Sequence, residues 1–198
     1  MMNKNKTLEY YNKNADFFAK TTINVDFYET QNRFSTLLPE HGYILDFGCG
    51  SGRDTKYFLE QGFYVDATDG SEEMCHIASN YTGIQVRRLL FEELDENKKY
   101  DGIWACSSIL HLPKNELKAV FMKMFKALKE DSIIYTSFKY GDFEGERNGR
   151  YFTDFTEKTF EKFVGEIDNL QLKEEWITGD VRPGRGEEKW LNVILQKN

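Results

Sequence analysis

The chain has 198 residues, with 26 basic against 33 acidic side chains and a formal net charge of −7, which is length for one domain around one core and too little for two catalytic units. Hydrophobic residues at 40% and aromatics at 15% exclude a disordered, collagen-like or coiled-coil chain, and the acidic balance argues against a broad phosphate-backbone footprint and hence against a nucleic-acid partner. Three cysteines, Cys49, Cys75 and Cys106, form neither an even set nor a C-x-x-C spacing, so no disulfide framework and no metal site is expected.

The N-terminal stretch MMNKNKTLEYYNKNADFF is polar and lacks the apolar region of a secretory leader, and no run reaches the roughly 18 apolar residues of a membrane span. A reduced cytoplasmic location without a membrane partner is expected. From residue 7 to 38, Leu8, Tyr11, Ala15 and Phe18, then Phe27, Phe34, Leu37 and Leu38, recur at helical intervals, broken by the β-branched run Thr21-Thr22-Ile23. The spacing predicts a helical cap over 1–38 ahead of a core over 40–198, both within a single domain. From residue 43 strands and helices alternate: strand 43–47, helix 53–61, strand 64–68, helix 72–80, strand 84–88, strand 101–106, helix 113–129 and strand 132–138. Such βαβ units imply a doubly wound parallel α/β sheet. After a helix at 156–166 the rhythm changes, because strands 170–177 and 189–196 are joined only by GDVRPGRGEE. That link is too short for a parallel crossover, so the seven-stranded, mostly parallel sheet should end in an antiparallel strand.

The segment ILDFGCGSGRD, residues 44–54, places Gly48, Gly50 and Gly52 between the first strand and a helix. Glycines there let the chain turn sharply and let a ligand approach the backbone at the carboxyl edge of the sheet. A dinucleotide fingerprint counted from Gly48 needs Gly or Ala at position 53, where Arg53 stands. The second strand ends in Asp69, placed to accept from both hydroxyls of a ribose.

With DFGCGSGRD and TDGSEEM on the page, residues 40–198 resemble the class I S-adenosylmethionine-dependent methyltransferases, especially the small bacterial tellurite-resistance-like and ubiquinone-methyltransferase-like enzymes. The resemblance implies a Rossmann-like methyltransferase fold with S-adenosylmethionine as cofactor and S-adenosylhomocysteine as product. It places Asp46, Gly48, Gly50 and Gly52 against the methionyl part, Asp69 and Gly70 at the ribose and Met74 on the adenine. Many relatives carry an Asp after the third strand that accepts from the adenine amino group, where Leu90 stands here; Phe91 and Glu92 then become the adenine contacts, and Cys106 borders the methionyl end. The Asn or Asp followed by Pro-Pro and an aromatic, found in enzymes that methylate base amines, is missing.

His111, in ACSSILHLP, is the one histidine at a plausible catalytic position and is a candidate base. A helix-entry residue bonded to backbone is the plainer reading of it. The loops KYGDFEGERNGRYF and GDVRPGRGEE bring Arg147, Arg150, Arg182 and Arg185 to the ligand edge, a local reversal of charge suited to an oxyanion. Pairing with Glu144, Glu146, Glu187 and Glu188 is the alternative use of those arginines. Tyr10 and Tyr11 of the cap are placed to touch substrate. The function expected is methyl transfer to a small, anionic acceptor, against two other readings: an RNA or protein methyltransferase, and a module that binds the cofactor without turnover.

Overall fold

A computed structural model describes residues 4–197; the first three residues of the expected cap and Asn198 lie outside the described residues. The cap is two helices, α1 (Lys4–Thr22) and α2 (Tyr28–Ser35). The core follows as β1 (Tyr43–Phe47), α3 (Arg53–Glu60), β2 (Tyr64–Asp69), α4 (Glu72–Thr82), β3 (Arg87–Arg88), β4 (Tyr100–Ala105), α5 (Lys114–Ala127) and β5 (Leu128–Lys139). It closes with β6 (Glu144–Arg147), β7 (Arg150–Thr153), α6 (Glu157–Val164), β8 (Leu170–Gly179) and β9 (Lys189–Lys197).

Seven strands make one sheet in the order β3-β2-β1-β4-β5-β9-β8. The pairs among β3, β2, β1, β4 and β5 are parallel, while β9, the last strand of the chain, runs antiparallel to both β5 and β8. Among the described residues no helix is long and apolar enough to cross a membrane.

Both sheet faces are covered, as a parallel sheet requires, and strand alternation sorts the side chains between them. Ile44, Trp104, Ile133, Tyr135 and Ile194 pack with Phe34 of α2 and Phe58 of α3. Leu45, Phe47, Ile103, Ile134 and Phe138 pack on the other side with Phe121 and Met124 of α5 and Phe160 of α6. Trp104 stacks on Tyr135 with ring centroids 4.0 Å apart, and Phe34 lies tilted against Trp104 at 5.1 Å. The second cap helix is thus part of the core.

Two elements differ from expectation. The strand expected at 84–88 is reduced to Arg87–Arg88. The backbone N–H of Ile84 donates to Thr82 Oγ1 and that of Val86 to Ser79 Oγ, both on α4, so these residues pack under that helix and do not pair with β2. The segment after β5, read as a plain loop, holds the hairpin β6–β7 with Arg147 opposite Arg150. Its turn is Asn148-Gly149, with φ of 53° and 76°, the left-handed pair that a two-residue hairpin turn demands.

Gly102 on β4 is the contact point of the cap. A Cβ there would lie 2.7 Å from Phe34 Cζ and 2.9 Å from a Leu38 methyl, and Phe34 is fully buried with nowhere to retreat. Gly102→Ala should therefore cost about 1–3 kcal/mol through overpacking, read as a lower urea midpoint at unchanged slope.

Candidate active site

The carboxyl ends of the parallel strands open into a cleft of about 990 Å³ lined by Gly48, Gly50, Asp69, Gly70, Met74, Phe91, Glu92, Cys106, His111 and the four loop arginines, among others. One end is built on the glycine loop. Gly48 has φ 85° and would place a Cβ 2.5 Å from the Ser108 Cβ, so only glycine lets the loop after β4 sit this close. Gly50, at φ 54°, faces the cleft with Phe18 and Met74 beside it. Asp69 ties this loop to α4: Oδ2 accepts from the Gly50 N–H at 2.9 Å and Oδ1 from the Ser71 N–H at 2.8 Å. The carboxylate has more lone pairs than the loop N–H groups use. Burial raises the Asp69 pKa, opposed by the N–H groups of Ser71, Gly50 and Gly70.

Helix α1 lies over this end. Thr22 Oγ1 donates to Ser51 Oγ at 3.1 Å, Ser71 Oγ donates to Asn12 Oδ1 at 2.6 Å, and Leu8 stands over Gly70. Phe91 packs edge-on to Phe47 at 4.9 Å, and Leu90 lines the wall beside it.

Two expected cofactor contacts stand behind the wall. Asp46 is 1% exposed and accepts from Thr55 Oγ1 at 2.5 Å; neither it nor Gly52 lines the cleft. Gly52 packs under Thr82 and Ala78 of α4. Asp46 braces the start of α3 from below, next to a second buried carboxylate. Burial alone would raise the pKa of Asp54, but Arg53, Trp104 Nε1 and Gln31 hold it below the ordinary value. Burial, followed by the charge on Asp54, pushes Asp46 up to about 8.

At the other end stand the arginines, and their partners separate them. Arg147 makes a two-pronged pair with Asp154, Arg182 with Asp180, and Arg185 with Glu188. Lys139, unremarked in the sequence, also bonds Asp180 and Glu188. Burial opposes ionisation of Asp180, but Arg182 and the Trp190 indole N–H outweigh it and drive its pKa far down. Arg150 has no carboxylate within ion-pair distance among the described residues; its guanidinium lies 4.5 Å from the Tyr10 ring centre and 5.0 Å from Phe152. Tyr10 backs Arg150 and does not itself line the cleft, whereas Tyr11 does.

His111 does not carry the near-neutral pKa expected of a base. Burial, with Arg150 and Arg147 nearby, lowers it to about 4, and both ring nitrogens are engaged, Nδ1 with the Tyr151 carbonyl at 2.6 Å and Nε2 with the Tyr11 hydroxyl at 2.8 Å.

The methyltransferase domain family matches residues 44–131, the span from the glycine loop to the start of β5, and the sheet order supplies the rest of that architecture. Residues 44–131 thus match a methyltransferase domain, on a Rossmann-like, mostly parallel sheet. A Bacillus subtilis (strain 168) protein, YqeM, provisionally named a methyltransferase, is 34% identical over 113 residues, 52% of this chain and 46% of its own length. A Geobacillus sp. (strain WCH70) protein with a similarly provisional name is 31% identical over 98 residues, 46% of this chain and 40% of its own. The matched region is thus less than half the length of these relatives. Among solved structures, the Burkholderia thailandensis 1,6-didemethyltoxoflavin-N1-methyltransferase, with its substrate and S-adenosylhomocysteine bound, superposes with a TM-score of 0.76 at 22% identity, over 96% of this chain and 85% of that one. The Synechocystis PCC 6803 magnesium protoporphyrin IX methyltransferase with S-adenosylhomocysteine superposes at 0.70 and 17% identity, over 96% and 97%.

Lys139, Asp180, Trp190 and Asn192 also line the methyltransferase cleft and were not picked from the sequence. Their signal was positional, since Lys139 ends β5 and Trp190 opens β9 on the edge already identified. The Asn-Gly pair at 148–149 was the overlooked mark of the hairpin.

A carboxyl whose folded pKa exceeds its unfolded value contributes stability below the unfolded value and loses it as pH rises through the folded one. For Asp46 that window runs from its ordinary 3.8 to about 8. Asp46→Asn removes the titration, so its melting temperature relative to wild type should climb steadily between about pH 5 and about pH 8, measured by calorimetry at fixed ionic strength.

Proposed function

We propose that this protein transfers the sulfonium methyl group of S-adenosylmethionine to a small acceptor that carries an anionic group. The observation that carries the reading is one cleft with two different ends: a glycine loop with a carboxylate that still has lone pairs to offer, and a wall on which Arg150 presents a guanidinium without a carboxylate partner. Its volume of about 990 Å³ lies at the upper end of the roughly 300–1,000 Å³ usual for ligand sites, room for the cofactor and a small second molecule. The bound cofactor supplies an electrophilic methyl group.

The chain's own residues do the rest. The free lone pairs of Asp69 accept from the ribose hydroxyls, and the Gly48–Gly50 backbone lets the methionyl part lie against the chain. Gly70, Leu90, Phe91 and Met74 give the adenine an apolar slot, Glu92 stands at its rim, and Cys106 and Arg53 border the sulfur end. Helix α1, through Leu8, Tyr11 and Phe18, excludes water, which strengthens every charge interaction inside. Displacement at a methyl group is in line, so holding the two reactants in position supplies much of the rate, and a dedicated base is optional when the acceptor is already nucleophilic. Three of the four arginines hold acidic loop residues in place. Arg150 is the one left for the acceptor's anion, with a planar fork that lysine cannot copy.

S-adenosylhomocysteine should raise the melting temperature, because a ligand that binds only the native state stabilises it by mass action. Asp69→Asn keeps an acceptor for one loop N–H and loses the charge towards ribose, so affinity should fall by about 10- to 100-fold, the equivalent of about 1.5–3 kcal/mol. A larger shift with NAD than with S-adenosylhomocysteine overturns the reading.

With an acceptor found by screening carboxylates, phosphates, thiols and metalloid oxyanions for S-adenosylhomocysteine release, Arg150→Ala should cost about 10- to 100-fold in kcat/KM for the acceptor at unchanged cofactor affinity. Arg185→Ala, which removes a half-exposed pair with Glu188, should cost little. Equal and negligible effects of both substitutions remove the anionic acceptor and leave methyl transfer standing.

A further inference from the structure

The acceptor end contains a hydrogen-bond string whose direction is fixed. The Tyr151 carbonyl, 2.6 Å from His111 Nδ1, can only accept, so Nδ1 carries the proton. The imidazole is half-buried, packed edge-on against Phe152 at 4.8 Å, with Tyr11 on its other side and the Arg147 and Arg150 guanidiniums facing it. These surroundings keep it neutral, and Nε2 is left as a bare lone pair. The Tyr11 hydroxyl, 2.8 Å away, must donate to that lone pair. Its oxygen already accepts from Arg150 Nη1 at 3.2 Å, and burial holds the phenol protonated.

Tyr11 therefore has its only proton committed and one of its two lone pairs used. Towards a ligand in the cleft it can accept and cannot donate. Arg150 beside it can only donate: it has no carboxylate within ion-pair distance among the described residues, and its Nε–H is buried without an acceptor. Both residues line the same cleft. A donor-only group and an acceptor-only group stand side by side, and Arg147, Arg182 and Arg185, which could blur that polarity, are held by Asp154, Asp180 and Glu188.

We infer that the acceptor is a small anion or polar heterocycle with a free N–H or O–H next to its anionic or carbonyl oxygen, the oxygen read by Arg150 and the adjacent hydrogen by Tyr11, with His111 as the positioning residue that fixes the Tyr11 hydroxyl as an acceptor. Hydroxy- and amino-carboxylates, in which the two groups sit on neighbouring carbons, and lactams, in which N–H adjoins C=O, share this pattern. The inference rests on the methyltransferase reading, adds a hydrogen-bond pattern to its acceptor and admits neutral lactams beside anions. It also gives His111 a use that does not require it to take a proton.

The test uses the full chain saturated with S-adenosylhomocysteine and matched pairs of probes that differ only in whether the adjacent hydrogen is free or replaced by methyl. Suitable pairs are 2-aminobenzoate, which keeps one N–H outside its internal hydrogen bond, with 2-(dimethylamino)benzoate, and 2-pyridone with N-methyl-2-pyridone, with affinities taken by titration calorimetry. The free-hydrogen member of the pairs that bind should be at least ten-fold tighter on wild type. Tyr11→Phe should bring the two members of each pair within about two-fold. His111→Phe frees the Tyr11 proton to point into the cleft, so the preference should vanish or invert, while His111→Gln, whose amide oxygen can still receive that proton, should keep it. A rise in melting temperature with S-adenosylhomocysteine shows that each variant is folded, and if Tyr11→Phe is not, the two His111 variants decide.

Equal affinities within the pairs on wild type, a preference untouched by His111→Phe, or no binding of any probe to the S-adenosylhomocysteine complex overturns the inference and leaves methyl transfer intact. Failure of S-adenosylhomocysteine itself to bind wild type overturns the methyltransferase reading beneath it.

Discussion

Parallel strands put all their carboxyl ends on one edge, and this constraint organises everything else in the molecule. Because the crossovers return over both faces, the side chains of β1, β4 and β5 alternate between two apolar layers, and the loops are released to the edge. There the glycine loop after β1 donates to Asp69 at the end of β2, and Ser108 in the turn after β4 donates to the Phe47 carbonyl at the end of β1. Antiparallel β9 continues the sheet while sending the β8–β9 loop to that same edge. The arginine-bearing wall of the cleft is thus made by the part of the chain where the βα rhythm stops.

Charge at this edge is governed by desolvation more than by net count. Beneath the loop Arg53 neutralises Asp54, and Asp46, left without a cation of its own, is pushed towards its neutral form. Across the cleft, Asp154, Asp180 and Glu188 claim three arginines and Lys139. A buried carboxylate without a partner is costly, so acidic residues on the inner side of a loop capture the nearest guanidinium first. Among the four arginines, the one left without a carboxylate has aromatic surroundings. Arg150 is stacked between rings that attract its charge without neutralising it.

Much of the fold was legible because it is written in local periodicity. The bounds of β1 coincide with the expected 43–47, and those of α3, α4, β4, β8 and β9 fall within two residues of expectation. The third strand shrank because Ser79 and Thr82 of α4 capture its N–H groups. The hairpin at 144–153 was missed because its four-residue strands are too short to show alternation and their charged composition reads as loop. At the site, all four arginines line the cleft at the carboxyl edge, and of the glutamates offered as alternative partners only Glu188 takes one, Arg185, while Asp154 and Asp180 take Arg147 and Arg182. Of the expected cofactor contacts, Asp46 and Gly52 do not line the cleft, because the Asp46 carboxylate on β1 is turned to Thr55 beneath the loop and Gly52 packs against Thr82 and Ala78 of α4.

The sequence by itself determined the doubly wound sheet, the antiparallel close, the loop at 48–52 with Asp69 opposite it, and the edge at which the cleft opens, since each depends on spacing, turn chemistry or chain length between strands. Only the tertiary structure decided that Asp46 is a brace, that three arginines are spoken for and Arg150 is not, and that Tyr11 reaches across 100 residues to His111. Those outcomes depend on which charges and hydroxyls meet after folding. Side-chain pairing across the cleft is a competition settled by distance and desolvation in three dimensions, and neither is written in the order of residues along the chain.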